Sequence, residues 1–181
     1  MTTISRVIVG VSGSPGCLPA MRYAAEVARA HDAPLIPVLA WLPPGGDLAD
    51  RSHPSPVLRQ VWAESARQRL ETAMQTAFGG LPAGVLTQPE VIRGQPGQSL
   101  VHVAREAGDL LVIGAGRRHR LSRALVAGVS RYCLAHAACP VLAVPPSPLD
   151  DELGRLGVRG WALRRRALRT DDIAAPPAAR A

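Results

Sequence analysis

Lysine is absent from this sequence. All 21 basic residues among its 181 are arginine, set against 14 acidic ones, for a net charge of +7. Such usage is what a GC-rich coding sequence produces, so part of the high isoelectric point is a codon effect. Guanidinium groups still suit planar contacts with phosphate, and diffuse positive charge attracts polyanions. Composition therefore permits a nucleotide or nucleic-acid partner without demanding one. Aromatics are scarce at 3%, so the core has to be built from Val, Leu, Ile and Ala. The three cysteines, Cys17, Cys133 and Cys139, form no CxxC pair. They read as reduced thiols filling small apolar sites in a cytoplasmic protein. No apolar run approaches the roughly 20 residues of a membrane helix. The segment from Met1 to Gly10 lacks the apolar stretch and cleavage site of a secretory signal. His31, His53, His102 and His136 show no metal-ligand spacing. There is no Walker loop, carboxylate pair or Ser/His/Asp arrangement.

What is present is an alternation of short apolar runs and helical patterns. Arg6-Val-Ile-Val-Gly-Val-Ser12 is β-branched and apolar, as expected of a strand buried on both faces (β1). Gly13-Ser14-Pro15 signals a turn and a helix start. Leu18, Met21, Ala25 and Ala28 then step at helical spacing as far as about His31. Residues 34–41 form a second strand (β2), in which Pro37 predicts a bulge or an irregular hydrogen bond. Residues 42–56 read as loop. The next helix places Leu58, Trp62, Ala66, Leu70, Ala73 and Ala77 on one face, with an i,i+4 pair between Arg67 and Glu71, and ends at Gly79-Gly80. Residues 85–93 read as a third strand (β3), weakened by Pro89. Leu100, Val101, Ala104 and Ala107 mark a short helix, and Asp109–Gly114 is the clearest strand (β4). A basic loop follows, and then a helical face of Leu125, Val129, Tyr132, Cys133 and His136. Residues 140–145 are the last strand (β5).

This alternation predicts an α/β fold with a parallel sheet and right-handed crossovers. The expectation is a doubly wound, five-stranded sheet in the order 3-2-1-4-5, forming a single domain with a C-terminal tail. In that order the ends of β1 and β4 lie side by side, where the winding direction switches and ligands bind. Residues 1–145 form the domain. The remainder, 146–181, is a Pro/Ala/Arg-rich tail expected to be partly disordered. Its Trp161 and Arg164-Arg165-Arg166 read either as a solvated helix face or as a surface for nucleic acid or acidic lipid.

Two segments carry the candidate chemistry. Val9-Gly-Val-Ser-Gly-Ser-Pro15 couples a strand to a Gly-rich turn and a helix start, whose amides favour anions. Val112-Ile-Gly-Ala-Gly-Arg-Arg-His-Arg120 leads from β4 into a basic loop, followed by Leu-Ser-Arg-Ala-Leu-Val-Ala-Gly-Val-Ser130 and, later, Cys139-Pro-Val-Leu-Ala-Val144. The cluster Arg117, Arg118, His119 and Arg120, with Arg123, reads either as a phosphate clamp or as a solvated loop.

In element order and spacing, residues 5–145 resemble the universal stress protein family. The resemblance implies a doubly wound fold, dimerisation through the last strand and, in some members, ATP binding. Binding members carry an acidic residue after β1, then a glycine at the end of β4, two residues, a glycine, nine residues, and Gly-Ser or Gly-Thr opening the next helix. Here Ser12 stands in place of the acid and Gly114 matches the first glycine. Arg117 replaces the second, Ala127 and Gly128 occupy the Gly-Ser step, and Ser130 matches a serine just beyond it. The resemblance thus implies a crevice formed by Val11, Ser12, Gly13, Ser14, Gly114, Ala115 and Gly116. Arg117 and Ser130 would lie on the phosphates, with Gly128 and Val129 opening the helix. The altered motif predicts weak or absent ATP binding in a non-enzymatic stress-response protein, cytoplasmic and homodimeric through strand 140–144. A slow ATPase or ATP-binding signalling protein on the same fold, and a nucleic-acid or membrane-surface binder acting through the tail, are the alternatives.

Overall fold

The computed structural model describes residues 3–115 and 123–145. The elements run β1 (Arg6–Gly10), a 3-10 turn (Pro15–Cys17), α1 (Leu18–Ala30), β2 (Leu35–Trp41), α2 (Gly46–Ser52), α3 (Pro56–Phe78) and β3 (Glu90–Arg93). They continue with α4 (Pro96–Val103), β4 (Asp109–Gly114), α5 (Arg123–His136) and β5 (Val141–Val144). The five strands form one sheet in the order β3-β2-β1-β4-β5, every neighbouring pair parallel. This is the predicted architecture. The tail from 146, with Trp161 and its arginines, lies outside the described residues.

Successive strand residues point to opposite faces, and this divides the core in two. Val7, Val9, Leu35, Leu39 and Val112 pack with Met21, Ala24, Ala28, Ala66, Leu70 and Met74, from α1 and α3. Ile8, Ile36, Val38, Leu111 and Ile113 pack with Leu100 of α4 and Cys133 of α5. Both faces are covered, which is why the strands read as continuous apolar runs. Gly10 belongs to the α4 face. A Cβ there would meet Leu100 Cδ1 at 2.9 Å, so a bare backbone is what lets Leu100 seat.

Pro37 is fully buried in β2, and the expected irregularity falls on one side only. Carbonyls of even-numbered residues face β1, as Pro34 and Val38 show by accepting from Val7 and Val11. Odd-numbered ones face β3, as Leu35 and Trp41 show by accepting from Gln88 and Gly94. The N–H that Pro37 lacks would therefore point at β3. The same register holds on both sides of the gap, Leu35 opposite Thr87 and Val38 opposite Glu90. It places Pro37 opposite Pro89. Pro89 itself costs the β2–β3 ladder nothing. Along the third strand even-numbered residues such as Gln88 and Gly94 turn their N–H groups to β2, so the N–H that Pro89 lacks falls on the free edge. The β1–β2 ladder is untouched. The break also shortens the third strand from the expected 85–93 to Glu90–Arg93.

Four other expectations are corrected. Residues 42–56 contain helix α2, which has no apolar stripe, and its Leu48 is exposed. It is held by charge: buried Asp50 accepts from Arg59 Nε at 2.9 Å and from Arg93 Nη2 at 2.8 Å, and Arg93 also reaches Asp47. In α3 Trp62 packs partly buried against the core as expected, but Leu58, one turn earlier, is exposed. A 23-residue helix is about 34 Å long, against roughly 23 Å for a seven-residue strand, so its first turns overrun the sheet. Arg67 pairs with Glu64 at 3.0 Å, not with Glu71. The helix read from Leu100 to Ala107 starts at Pro96 and stops at Val103, before Ala107. No helix among the described residues is long and apolar enough to cross a membrane.

Candidate functional site

The strand order sets the ends of β1 and β4 next to each other, with Val9 opposite Val112. Beyond Gly10 the chain continues through Val11, whose N–H donates to the Val38 carbonyl at 2.8 Å. Val11 is buried in the α1/α3 core, so only its backbone is near the crevice. Ser12, Gly13 and Ser14 are exposed. Gly13 has φ of 71°, a left-handed conformation that costs glycine no Cβ clash. It folds Ser12 and Ser14 toward each other: their hydroxyl oxygens are 2.8 Å apart, and the Ser14 N–H lies 3.4 Å from Ser12 Oγ. The Ser14 carbonyl accepts from both the N–H and the thiol of Cys17, at 3.1 and 3.0 Å, and this closes the 3-10 turn that leads into α1. Cys17, the N-cap of α1, provides no side-chain cap.

This turn abuts the end of β4. A Cβ on Gly114 would lie 3.2 Å from the Gly16 carbonyl oxygen, so the first motif glycine serves a close backbone approach. Ala115 continues alongside β5, its N–H donating to the Val144 carbonyl at 2.7 Å. Ser130, from α5, donates its hydroxyl to the Gly114 carbonyl at 3.2 Å. That bond ties α5 to the strand end and uses the single hydroxyl proton that a phosphate would need. Val129 packs against the α4/α5 core, and Gly128 is exposed with open space where a Cβ would be. Both lie in the second turn of α5, which begins at Arg123, and so do not open the helix as the motif implied. Gly116 and Arg117, with Arg118, His119 and Arg120, lie outside the described residues. The structure thus brings Ser12, Gly13, Ser14, Gly114, Ala115 and Ser130 to the C-terminal end of the central strands β1 and β4.

One neighbour of this strand end has no signal in the sequence. The Cβ, Cγ and Cδ of Arg69, on α3, lie 3.6–3.9 Å from where a Gly13 Cβ would stand. Only the packing of α3 on the β1–β2 side of the sheet brings the two together.

Among the described residues, the titrating groups that depart from their usual values stand elsewhere. Asp109, at the opposite end of β4, is buried, which by itself would push its carboxyl up. Two hydrogen bonds from Arg6, at 2.7 and 2.8 Å, and one from the Glu106 N–H, with the Arg6 charge, outweigh this and hold it below the usual value. Hydrogen bonding from Arg59, against the opposing effect of desolvation and helped by the Arg59 and Arg93 charges, lowers Asp50 likewise. Burial pushes the Cys133 thiol up to about 11 and raises Cys139 as well. What the crevice itself offers is hydroxyls and backbone amides, a set of donors suited to an anion.

Comparison with known proteins bears on the same span. The model of the Universal stress protein family matches residues 3–145. A universal stress protein of Methanocaldococcus jannaschii is 27% identical over 142 residues, 77% of this chain and 81% of that protein. One of Mycolicibacterium smegmatis is 27% identical over 146 residues, 76% of this chain but 47% of that protein. The chain thus spans about half the length of that relative. Among solved structures, the hypothetical protein MJ0577 superposes with a TM-score of 0.63 at 15% identity, covering 80% of this chain and 98% of that one. A universal stress protein in complex with cAMP superposes with a TM-score of 0.50 at 25% identity, covering 77% and 95%. With the strand order, the β1 turn and the β4 end already in place, the match over residues 3–145 means that this chain belongs to the universal stress protein family.

Proposed function

We propose that this chain is a non-catalytic, cytoplasmic stress-response regulator that binds a phosphate-bearing ligand weakly in the β1/β4 crevice and works as a homodimer. The observation that carries this reading is the exposed Ser12-Gly13-Ser14 turn set against Gly114 at the switch point of the sheet. Its hydroxyls are bonded chiefly to each other, so both can turn to a ligand without leaving a buried group unpaired. The cAMP held by a family member of 25% identity supports a nucleotide as ligand. ATP binding is weak in this reading for three reasons. Ser12 supplies no carboxylate to a sugar hydroxyl, base amine or metal. Ala127 adds a Cβ at the phosphate step. Gly128 lacks a hydroxyl worth about 0.5–1.5 kcal/mol as a net hydrogen bond. Arg117 returns part of this through a charged contact.

Dimerisation is proposed through β5. The two sheet edges differ: β3 is guarded by Pro89, Glu90 and Arg93, whereas Val141-Leu-Ala-Val144 carries no charge and is only partly buried. Charged or proline-marked edges resist pairing, and short apolar ones invite it.

Calorimetry of the full chain with ATP and cAMP, at low and at physiological salt, tests the ligand reading. The expected result is weak, salt-sensitive binding that falls further in Arg117→Ala. Tight, magnesium-dependent ATP binding that is indifferent to Arg117→Ala would refute it.

A further inference from the structure

Arginines on the α1 and α3 helices are mostly committed. Arg22 and Arg29 donate to the carbonyls of Ala77 and Ala83, and Arg59 and Arg67 pair with Asp50 and Glu64. Arg69 differs. It is exposed, and its one hydrogen bond among the described residues is a long one, 3.4 Å from Nε to the Ser65 carbonyl of its own helix. The two terminal nitrogens have no partner among the described residues. Its stem, in contrast, is placed. Its Cβ, Cγ and Cδ border the open side of Gly13, at ordinary contact distance from where a Cβ would stand, as long cationic side chains lay their stems along a surface while the charged head stays in water. The stem thus stands beside the turn that presents the Ser12 and Ser14 hydroxyls. With Ser12 at that position, no carboxylate stands anywhere in Val11–Ser14 to neutralise the guanidinium.

We propose that Arg69 is a ligand-binding residue, its guanidinium reaching across Gly13 from α3 to contact the anionic group of the ligand in the β1/β4 crevice. The proposal rests on the reading of that crevice as a phosphate-ligand site. A guanidinium donates two parallel N–H bonds to phosphate oxygens, and here it approaches from the side of the sheet opposite α5 and Ser130. Gly13 is needed for its left-handed φ, which makes the turn; a Cβ there would only touch the Arg69 stem at ordinary contact distance.

The test is a titration of the 15N-labelled full chain with ATP, AMP and adenosine at low ionic strength, read at the amides of Ser12, Gly13 and Ser14, for wild type and Arg69→Gln. Glutamine keeps methylenes beside Gly13 and removes the charge. The expected result is saturable shifts with AMP and ATP in wild type, and affinity about tenfold weaker in Arg69→Gln, as for loss of one charge-assisted contact. Adenosine affinity and melting temperature should not change. Equal AMP and ATP titrations in the two proteins would overturn the role of Arg69 and leave the crevice reading standing. An equal loss for adenosine would also overturn it, placing the side chain on the base rather than the anion. Absence of shifts with all three ligands in wild type would overturn the crevice reading and, with it, this inference.

Discussion

Substituting Gly97 by alanine should destabilise the domain, although alanine is the better helix former. Gly97 is the second residue of α4 and is buried. An added Cβ would stand 2.9, 3.0 and 3.1 Å from Cδ1, Cγ and Cβ of Tyr132 on α5. Carbon atoms in contact prefer roughly 3.5–4.0 Å, so a gap of about half an ångström has to open. A change of rotamer cannot open it, because Tyr132 Cβ is itself too close and is fixed to the α5 backbone. The ring is further held by stacking on His136, with centroids 4.1 Å apart. Helix α5 must therefore move away from α4. Overpacking of this kind costs about 1–3 kcal/mol. The gain from replacing a helical glycine is at most about 1 kcal/mol and smaller in a first turn. The net expectation is a loss of about 1–2 kcal/mol, or roughly 3–8 °C in Tm for a domain of this size. Urea and thermal unfolding of Gly97→Ala, Tyr132→Ala and the double variant measure it. Most of the Gly97→Ala cost should vanish once the ring is gone. An equal cost in both backgrounds, or a wild-type-like Gly97→Ala, would refute the clash. The displacement also has a functional reading, since α5 carries Ser130: its bond to the Gly114 carbonyl should lengthen, and the β4 end of the crevice should loosen with it.

Acid should unfold the domain through Asp109 and Asp50. Both have folded pKa values below their unfolded ones, near 3.9, so their contribution is complete above that value and is lost as pH falls through the lower folded value. Unfolding followed by circular dichroism from pH 5 to 2 should show stability falling below about pH 4, with a flatter profile in Asp109→Asn. Cys133, with its thiol pushed up to about 11 by burial, should resist iodoacetamide at pH 8 in the native protein and react fully in denaturant; mass spectrometry of the labelled peptides shows which. The Pro140 and Val144 carbonyls face β4, so the N–H of Ala143 points to the free edge of β5. Ala143→Pro should therefore leave the β4–β5 ladder intact and give a monomer by light scattering, whereas a persistent dimer would place the interface elsewhere.

Much of this protein is written in local pattern. Runs such as Val7-Ile-Val9 and Leu110-Leu-Val-Ile113 are apolar at every position because both faces of a parallel sheet are covered, and that continuity makes them legible as strands without any partner in view. Their alternation with helical spacing implies a parallel sheet. The order β3-β2-β1-β4-β5, which puts the Ser12–Ser14 turn beside Gly114, is decided by the tertiary structure. The rest depends on partners distant in sequence. Helix α2 has no apolar period and exists because Asp50 meets Arg59 and Arg93, the latter 43 residues away. Pro37 is tolerated in a central strand because the N–H it lacks faces the short third strand and not β1. The exposure of Leu58 follows from α3 being longer than the sheet it packs on. Arg69 is one exposed arginine among 21 until tertiary packing sets its stem beside Gly13. Periodicity reports which side of an element faces apolar surroundings; it carries no information about which charged group, 40 or more residues away, stands across the gap.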